Sequence, residues 1–454
     1  GTGSFAATPL KSASSWDVSE QSGDFTWQYA MRTPPAAAGP QPSLSLSYDL
    51  PAIDGETGST NNQPSAIGEG WELGGSGYIE RTYVSCSQDD GASGPVTTSG
   101  DLCWKTDNAT ISIAGHSGTL VRVNATSWKL QADDGTRFEH LVGAAAGCGA
   151  ANGTYDNDCW RMTTTDGTKY YFGMNELPGY ASAPAATKFP TNSAWLVPVY
   201  GNDATEPCHN STFATSSCAQ AWRWNLDYVV DTHNNAEAFY YDAEGNRYAR
   251  GGSGSATYTR GGQLDHIDYG LTAANIYTVN AATDKVAFGY NAYGRCTDTT
   301  HANCTSEAIT AAAVAPAHPT YYPDVPFDQL CTSTTSCSTS QISPTFFTDG
   351  MLNTVTTKAW ISGAYQTVDT WTLSHSFPAP GDTSAAALWM TQVSHTGSAA
   401  GQTSLTEPPT VFGGVAMQNR VWVVDGRLPL DKYRINSITT SLGAVISVTY
   451  SAQQ

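Results

Sequence analysis

The stretch Tyr240-Tyr241-Asp242-Ala243-Glu244-Gly245-Asn246-Arg247-Tyr248 decides how the rest of the chain reads. Two aromatic residues suited to a half-buried strand run into Asp, Glu, Gly and Asn, and an Arg-Tyr pair follows. Asp and Asn bond their own backbone two residues on, and Gly tolerates positive φ, so such clusters favour turns. The pattern predicts strand, tight turn over 242–246, then strand: one tile of a β-hairpin array.

The neighbours repeat the design. Trp224 to Val230 reads as a strand that meets a turn at 231–235, and Arg260 to Gly270 and Phe288 to Arg295 follow the same aromatic, turn, Gly and Arg order. Met351 to Val355, Leu388 to Val393 and Tyr433 to Ile438 are further strands, and Gly443 to Tyr450 closes the series. Upstream, Trp128-Lys129-Leu130 leads to Asp134-Gly135-Thr136-Arg137-Phe138, and 32 positions later Trp160-Arg161-Met162 leads to Asp166-Gly167-Thr168-Lys169-Tyr170. Asp-Gly between strands predicts type I′ hairpin turns. Thr110 to Ile113 and Leu120 to Val123 form a hairpin around the 115–118 turn, and Ser43 to Tyr48 alternates with the period of a strand. Stripes of helical period are missing; a short helical turn at Ala308 to Ala317 is bounded by Pro316 and Pro319. The fold class is therefore all-β: serial antiparallel hairpins in large curved or spiralling sheets, with disulfide-stapled loops and very little helix.

Composition narrows the function. The 454 residues carry 21 Lys plus Arg against 40 Asp plus Glu, a formal net charge of −19. That balance disfavours nucleic acid, which needs a basic footprint. With 13 Trp, 23 Tyr and 13 Phe the chain can build a core, unlike a disordered one. No apolar run approaches the ~18 residues of a membrane span. Gly1-Thr2-Gly3-Ser4 reads as a tag remnant, with any leader removed.

The ten cysteines fall into near neighbours: Cys86 and Cys103, Cys148 and Cys159, Cys208 and Cys218, Cys296 and Cys304, Cys331 and Cys337. Sequence does not fix connectivity; nearest-neighbour disulfides are the simplest reading, and they imply a secreted, extracellular protein. The rival is a metal site, with Cys296, His301 and Cys304 as three zinc ligands and Cys208-His209 adding more, although no Cys-x-x-Cys pair occurs. Asp242, Glu244 and Asn246 alternate as calcium ligands would, as does Asp156-Asn157-Asp158, but turns select the same residues. No resident metal or cofactor is expected beyond a structural calcium ion.

These residues resemble the Rhs/YD-repeat proteins over nearly the whole chain. Tyr241, Asp242, Gly245, Asn246 and Arg247 match the YD core motif, and Gly262-Gln263-Leu264 to Tyr269 and Arg434-Ile435 to Tyr450 are similar to degenerate YD tiles. The first third resembles the SpvB-type N-terminal region of toxin-complex shell proteins, through Gly23-Asp24-Phe25-Thr26-Trp27, Pro34-Pro35, Gly39 to Tyr48 and Gly68 to Gly75. The resemblance implies a β-sheet that spirals into a hollow shell able to hold a toxic C-terminal domain. Few tiles are clean, and no Rhs core or variable terminal domain is recognisable. It therefore implies the N-terminal portion of a larger secreted protein: a tail over 1–15, an SpvB-like region over 16–195, and a YD-like region over 196–454 with a disulfide-pinned insertion near 298–345.

No catalytic residue is expected, because GxSxG, HExxH and Walker motifs are all missing. His140, His233, His375 and His395 sit in turns and strands, where a hydrogen-bonded structural role is expected. The leading expectation is a non-enzymatic secreted β scaffold whose partner is the remainder of a larger polypeptide or its cargo. The alternative is an extracellular glycan-binding module or glycoside hydrolase on the same framework, using aromatics such as Trp360, Trp371 and Trp389 and an unidentified carboxylate pair.

Overall fold

The computed structural model describes residues 14–19, 22–58, 62–89, 100–143, 146–148, 152–305, 319–399, 401–419 and 430–451. Gly1 to Ser4 and the helical turn expected at Ala308 to Ala317 lie outside the described residues. Among the described residues the protein is built of β-strands, with one α-helix of five residues, Leu50–Asp54, and isolated 3-10 turns.

The first four strands, Ser14–Val18, Phe25–Met31, Leu44–Asp49 and Trp71–Gly74, form an antiparallel sheet. Strand alternation turns Leu44, Leu46 and Tyr48 into the core. Trp27 and Trp71 meet edge to face at 5.6 Å, and both pack on Phe412, at 5.1 and 4.8 Å. Phe412 belongs to the strand Thr410–Gln418, so this sheet is seated on C-terminal strands. Such contacts stabilise by roughly 0.5–1.5 kcal/mol each beyond the area they bury.

Eight antiparallel strands then close a barrel. In ring order they are Gly77–Glu80, Ala109–Ile113, His116–Arg122, Ser127–Leu130, Arg137–Val142, Asp158–Thr163, Lys169–Phe172 and Ser217–Val230, the last of which pairs with both ends of the series. Ile79, Leu120, Trp128, Phe138, Trp160 and Trp224 belong to one buried cluster and fill the ring. Two turn expectations change here. At 134–135 and 166–167 only the glycines take positive φ, 86° and 89°. Gly167 N–H donates to Thr164 O and Thr164 N–H to Thr168 O, which makes a type I turn followed by a left-handed glycine, not a type I′ turn. The reason is the aspartate: Asp166 Oδ1 accepts from Thr168 N–H at 3.0 Å, an Asx contact that holds it in right-handed space. The hairpin after Ile113 also turns sooner than expected, since Ile113 already pairs with His116.

From Ser217–Val230 onward the sheet is laid down serially. Asn235–Tyr248, Ala256–Thr272, Asp284–Tyr290, Leu352–Ile361, Ala364–Ser376, Trp389–Gly397, Thr410–Gln418, Asp431–Thr439 and Val445–Ser447 each pair antiparallel with the one before; the two-residue strand Leu405–Thr406 lies alongside. The turn expected at 231–235 is present: Asp231 Oδ1 accepts from the His233 and Asn235 N–H groups, and Asn234 has φ 64°. Residues 195 and 196 lie within the strand Ala194–Tyr200, which also pairs with Ser217–Val230.

The founding stretch is different. No turn occurs at 242–246; all nine residues lie inside Asn235–Tyr248, and the chain reverses only after Tyr248, where Gly251, Gly252 and Gly254 have positive φ. Arg260 to Gly270 likewise lies wholly within Ala256–Thr272. Tertiary partners override local turn propensity here, because alternate side chains of the stretch find buried partners that a turn would withdraw. The register slips between Glu244 and Gly245, where Thr259, Arg260 and Gly261 face two residues. Arg260 is the extra residue of a β-bulge, and a bulge re-aims its side chain.

Candidate functional site

Three places gather polar side chains. The first is the wall around the founding stretch. Arg260 Nη1 lies 2.8 Å from Glu244 Oε2, and both side chains are almost fully buried. Arg260 also donates to Phe347 O and to Asp349 Oδ1, while Gln263 Nε2 and Thr348 Oγ1 donate to Glu244 Oε1. Burial pushes the Glu244 carboxyl upward against the pull of Arg260. Opposite this network a Cβ on Gly262 would stand 2.6 Å from Trp195 Cζ2 and 2.7 Å from Asp242 O, so only glycine admits the close approach. Asn246 Nδ2 donates to Tyr258 Oη and Gln329 O, and its Oδ1 accepts from Cys331 N–H at 3.1 Å. The long hairpin is thereby bolted to the segment after residue 319, which carries no strand until Leu352. Asn246→Ala takes the partner from two acceptors, Tyr258 Oη and Gln329 O, and from one donor, Cys331 N–H, and we expect it to cost about 1–3 kcal/mol in urea unfolding; a loss within error would show that the bolt carries nothing.

The second place is the tie to the N-terminal sheet. Arg295 is fully buried. It donates to Gly350 O, Pro64 O and Ser65 O, and its Nη1 lies 2.6 Å from Asp324 Oδ2. Lys432 Nζ reaches Glu56 at 2.8 Å and Glu69 at 3.0 Å, and Arg434 reaches Asp54 at 2.7 Å. Beside these ties runs a groove of about 610 Å³ walled by Pro323, Pro326, Pro344, Phe346, Pro378 and Pro380.

The third place is one mouth of the barrel. Counting outward by two along the ring strands, Ile79 gives way to Arg81, Ala109 to Asp107, Leu120 to Arg122, Phe138 to His140 and Trp160 to Asp158. The inward stripe thus changes from apolar to charged at one level. Arg81 Nη2 donates to Asp107 at 2.8 Å and Arg122 Nη1 to Asp107 at 2.9 Å; His140 Nε2 lies 2.8 Å from Asp158 Oδ2. The Arg81 guanidinium lies over the Trp104 and Trp224 rings, and the His140 ring stacks on Trp160 at 4.7 Å. Asp158 stays below the usual carboxylate range: burial raises it, but hydrogen bonding and charge from His140, then Arg81, outweigh that. Above the ring lies a cavity of about 370 Å³.

The cysteines are joined as Cys86–Cys103, Cys148–Cys159, Cys208–Cys218, Cys296–Cys304 and Cys331–Cys337. The five disulfides suggest an extracellular protein. They also remove the zinc reading: the Cys296 and Cys304 sulfurs are bonded to each other, and His301 stacks on Tyr293 at 4.1 Å. Of the calcium candidates, Glu244 is taken by Arg260 and Asn246 by backbone groups, and Asp242 lies on the exposed side. Asp158 turns inward to His140. Among the described residues no three His, Cys, Asp or Glu side chains are placed to hold a metal ion. Trp371 and Trp389 are buried and offer no open platform to a sugar; Trp360 is half-buried and meets Tyr365 edge to face at 4.8 Å. His233 sits in the turn after Val230, His395 pairs with Asp369, and burial lowers His375 to about 4, helped by the charge of Arg295.

Sequence reasoning missed Arg81 and Asp349, and it placed Arg260 and Arg295 in hairpin tiles without their buried ion pairs. The partners are distant in the chain.

No protein-family model matches the chain, and no curated protein sequence matches it significantly. Among solved structures it is similar to a TcdB2-TccC3 protein, with TM-score 0.44 and 14% identity over 88% of this chain and 17% of that one. It is also similar to a chain of the Tc holotoxin pore of Photorhabdus luminescens, with TM-score 0.42 and 12% identity over 93% and 18%. A third likeness is to the N-terminal domain of the effector SpvB from Salmonella typhimurium strain LT2, with TM-score 0.38 and 12% identity over 83% and 98%. The chain spans under a fifth of the first two. No helix among the described residues is long and apolar enough to cross a membrane.

Proposed function

We propose that the chain is a non-enzymatic, secreted β scaffold, the N-terminal part of an Rhs/YD-type protein that serves as shell wall or as a module for delivery or presentation. In this reading residues 16–195 are its SpvB-like region and 196–454 its YD-like region, and its partner is the rest of a larger polypeptide or the cargo of one. The observation that carries the reading is the continuous antiparallel ladder from Ser217–Val230 to Val445–Ser447, locked to surrounding segments by buried cations. Glu244, Asn246 and Asp324 are engaged in holding strands to loops.

The test is an activity screen of the folded chain against starch, xylan, chitin and pectin, with p-nitrophenyl esters alongside. We expect no heat-labile release of sugar or nitrophenol. Heat-labile turnover of any of them overturns the scaffold reading.

A further inference from the structure

The charged ring at the barrel mouth is sheltered except on its Arg122 side, where that side chain is 47% exposed. The Arg81 side chain is only 4% exposed, Asp158 10% and His140 16%. Trp104, Tyr155 and Pro207 line the cavity above them, and chain neighbours of those walls are pinned. Cys103 precedes Trp104, Cys159 follows Asp158, and Cys208 follows Pro207, each within a disulfide. Behind Asp158, Asn152 Nδ2 donates to its carbonyl at 2.6 Å and Thr154 Oγ1 accepts its N–H at 2.8 Å. Three disulfides and a buried hydrogen-bond net hold a cavity whose volume falls in the ~300–1,000 Å³ range of small-molecule sites, which barrel mouths commonly provide.

The chemistry of the lining selects the ligand. The polar groups of the ring are already engaged with one another: Arg81 and Arg122 share Asp107, Arg81 also lies 3.9 Å from Asp158, and His140 is hydrogen-bonded to Asp158. An ionic ligand would break these pairs. A neutral ligand rich in hydroxyls can donate to the carboxylates and accept from the guanidinium while leaving the pairs intact. Tyr155 stands 54% exposed on the rim, and Trp104 lines the wall. Aromatic rings of this kind present an apolar face with a polar edge, which suits the C–H face of a pyranose. We propose that the barrel mouth binds the neutral end of a glycan, one or two pyranose rings deep, with Tyr155 as stacking face and Asp156, Asp158 and Gln220 as hydroxyl partners. The site binds without hydrolysing, so it is compatible with the scaffold reading and independent of it.

The experiment is saturation-transfer NMR and calorimetry on the full chain, using methyl glycosides and short oligosaccharides of glucose, galactose, mannose and N-acetylglucosamine. Glucuronate and sulfated galactose serve as charged probes. We expect saturable binding of at least one neutral probe, weakened about tenfold by Tyr155→Ala and by Asp156→Asn. Both residues are on the rim, so the thermal midpoint is expected to stay put. Phe346→Ala, in the proline-walled groove, which shares no lining residue with the mouth, should leave binding unchanged. The proposal is overturned by no binding of any neutral probe, by binding confined to the charged probes, or by binding indifferent to both rim substitutions. Failure here would leave the activity screen untouched, and sugar release in that screen would overturn the scaffold without bearing on where the glycan sits.

Discussion

Asp227→Asn combined with Glu237→Gln is expected to stabilise the protein at about pH 8, with a gain that shrinks to nothing as the pH falls to about 4. Both carboxyls lie in the core of the central strands, Asp227 fully buried and Glu237 nearly so. Burial pushes Asp227 up to about 7, with the hydroxyls of Ser193 and Thr191 and the Asn175 N–H pulling back; burial alone pushes Glu237 up to about 8. In the unfolded chain both ionise near 4. The folded state therefore holds protons that the unfolded state has released, and stability falls as pH rises from about 4 through the folded values. By then the proton that Asp227 keeps in the fold and loses in the unfolded chain has taken on the order of 4 kcal/mol from stability. Asn keeps an oxygen for the three donors on Asp227 Oδ2, and its amide nitrogen replaces Oδ1, which has no hydrogen-bond partner. The measurement is urea unfolding of wild type and double variant between about pH 4 and 9. Parallel stability curves would show that neither carboxyl enters the fold protonated.

The second large effect is expected at Arg295. Arg295→Met removes the donors to Gly350, Pro64 and Ser65 and leaves Asp324 buried, with Leu388 N–H still donating to it. Breaking one side of a buried pair costs about 3–5 kcal/mol. Arg122→Met, at a pair whose arginine is half exposed, should cost under about 1 kcal/mol. Adding Asp324→Leu to Arg295→Met should recover part of the loss, because the stranded charge goes with it. Equal unfolding midpoints for Arg295→Met and Arg122→Met would refute the view that this guanidinium ties the N-terminal sheet to the hairpin array. His375 offers an independent readout, since loss of the Arg295 charge should raise its titration midpoint from about 4.

Much of this architecture was legible because it is local. Alternation in Ser43 to Tyr48 and the Asx turn at Asp231 depend on residues within one strand or one corner, and they appear where their spacing places them. Local reasoning failed where a distant partner outbid a local preference. Glu244, Gly245 and Asn246 have the chemistry of a turn, yet Arg260, Thr348 and Cys331 hold them extended. The Asp-Gly corners kept their glycine geometry but not the expected turn type, because the aspartate carboxylate had its own backbone donor.

The barrel mouth marks the limit most clearly. Arg81, Asp107, Arg122, His140 and Asp158 are spread over some eighty positions, and each is an ordinary polar residue one step past an apolar one. By itself the sequence determined the period of two that sends each of them inward. Only closure of the ring decided that they meet at one level, because a barrel's register is set by pairings between strands that no single strand encodes.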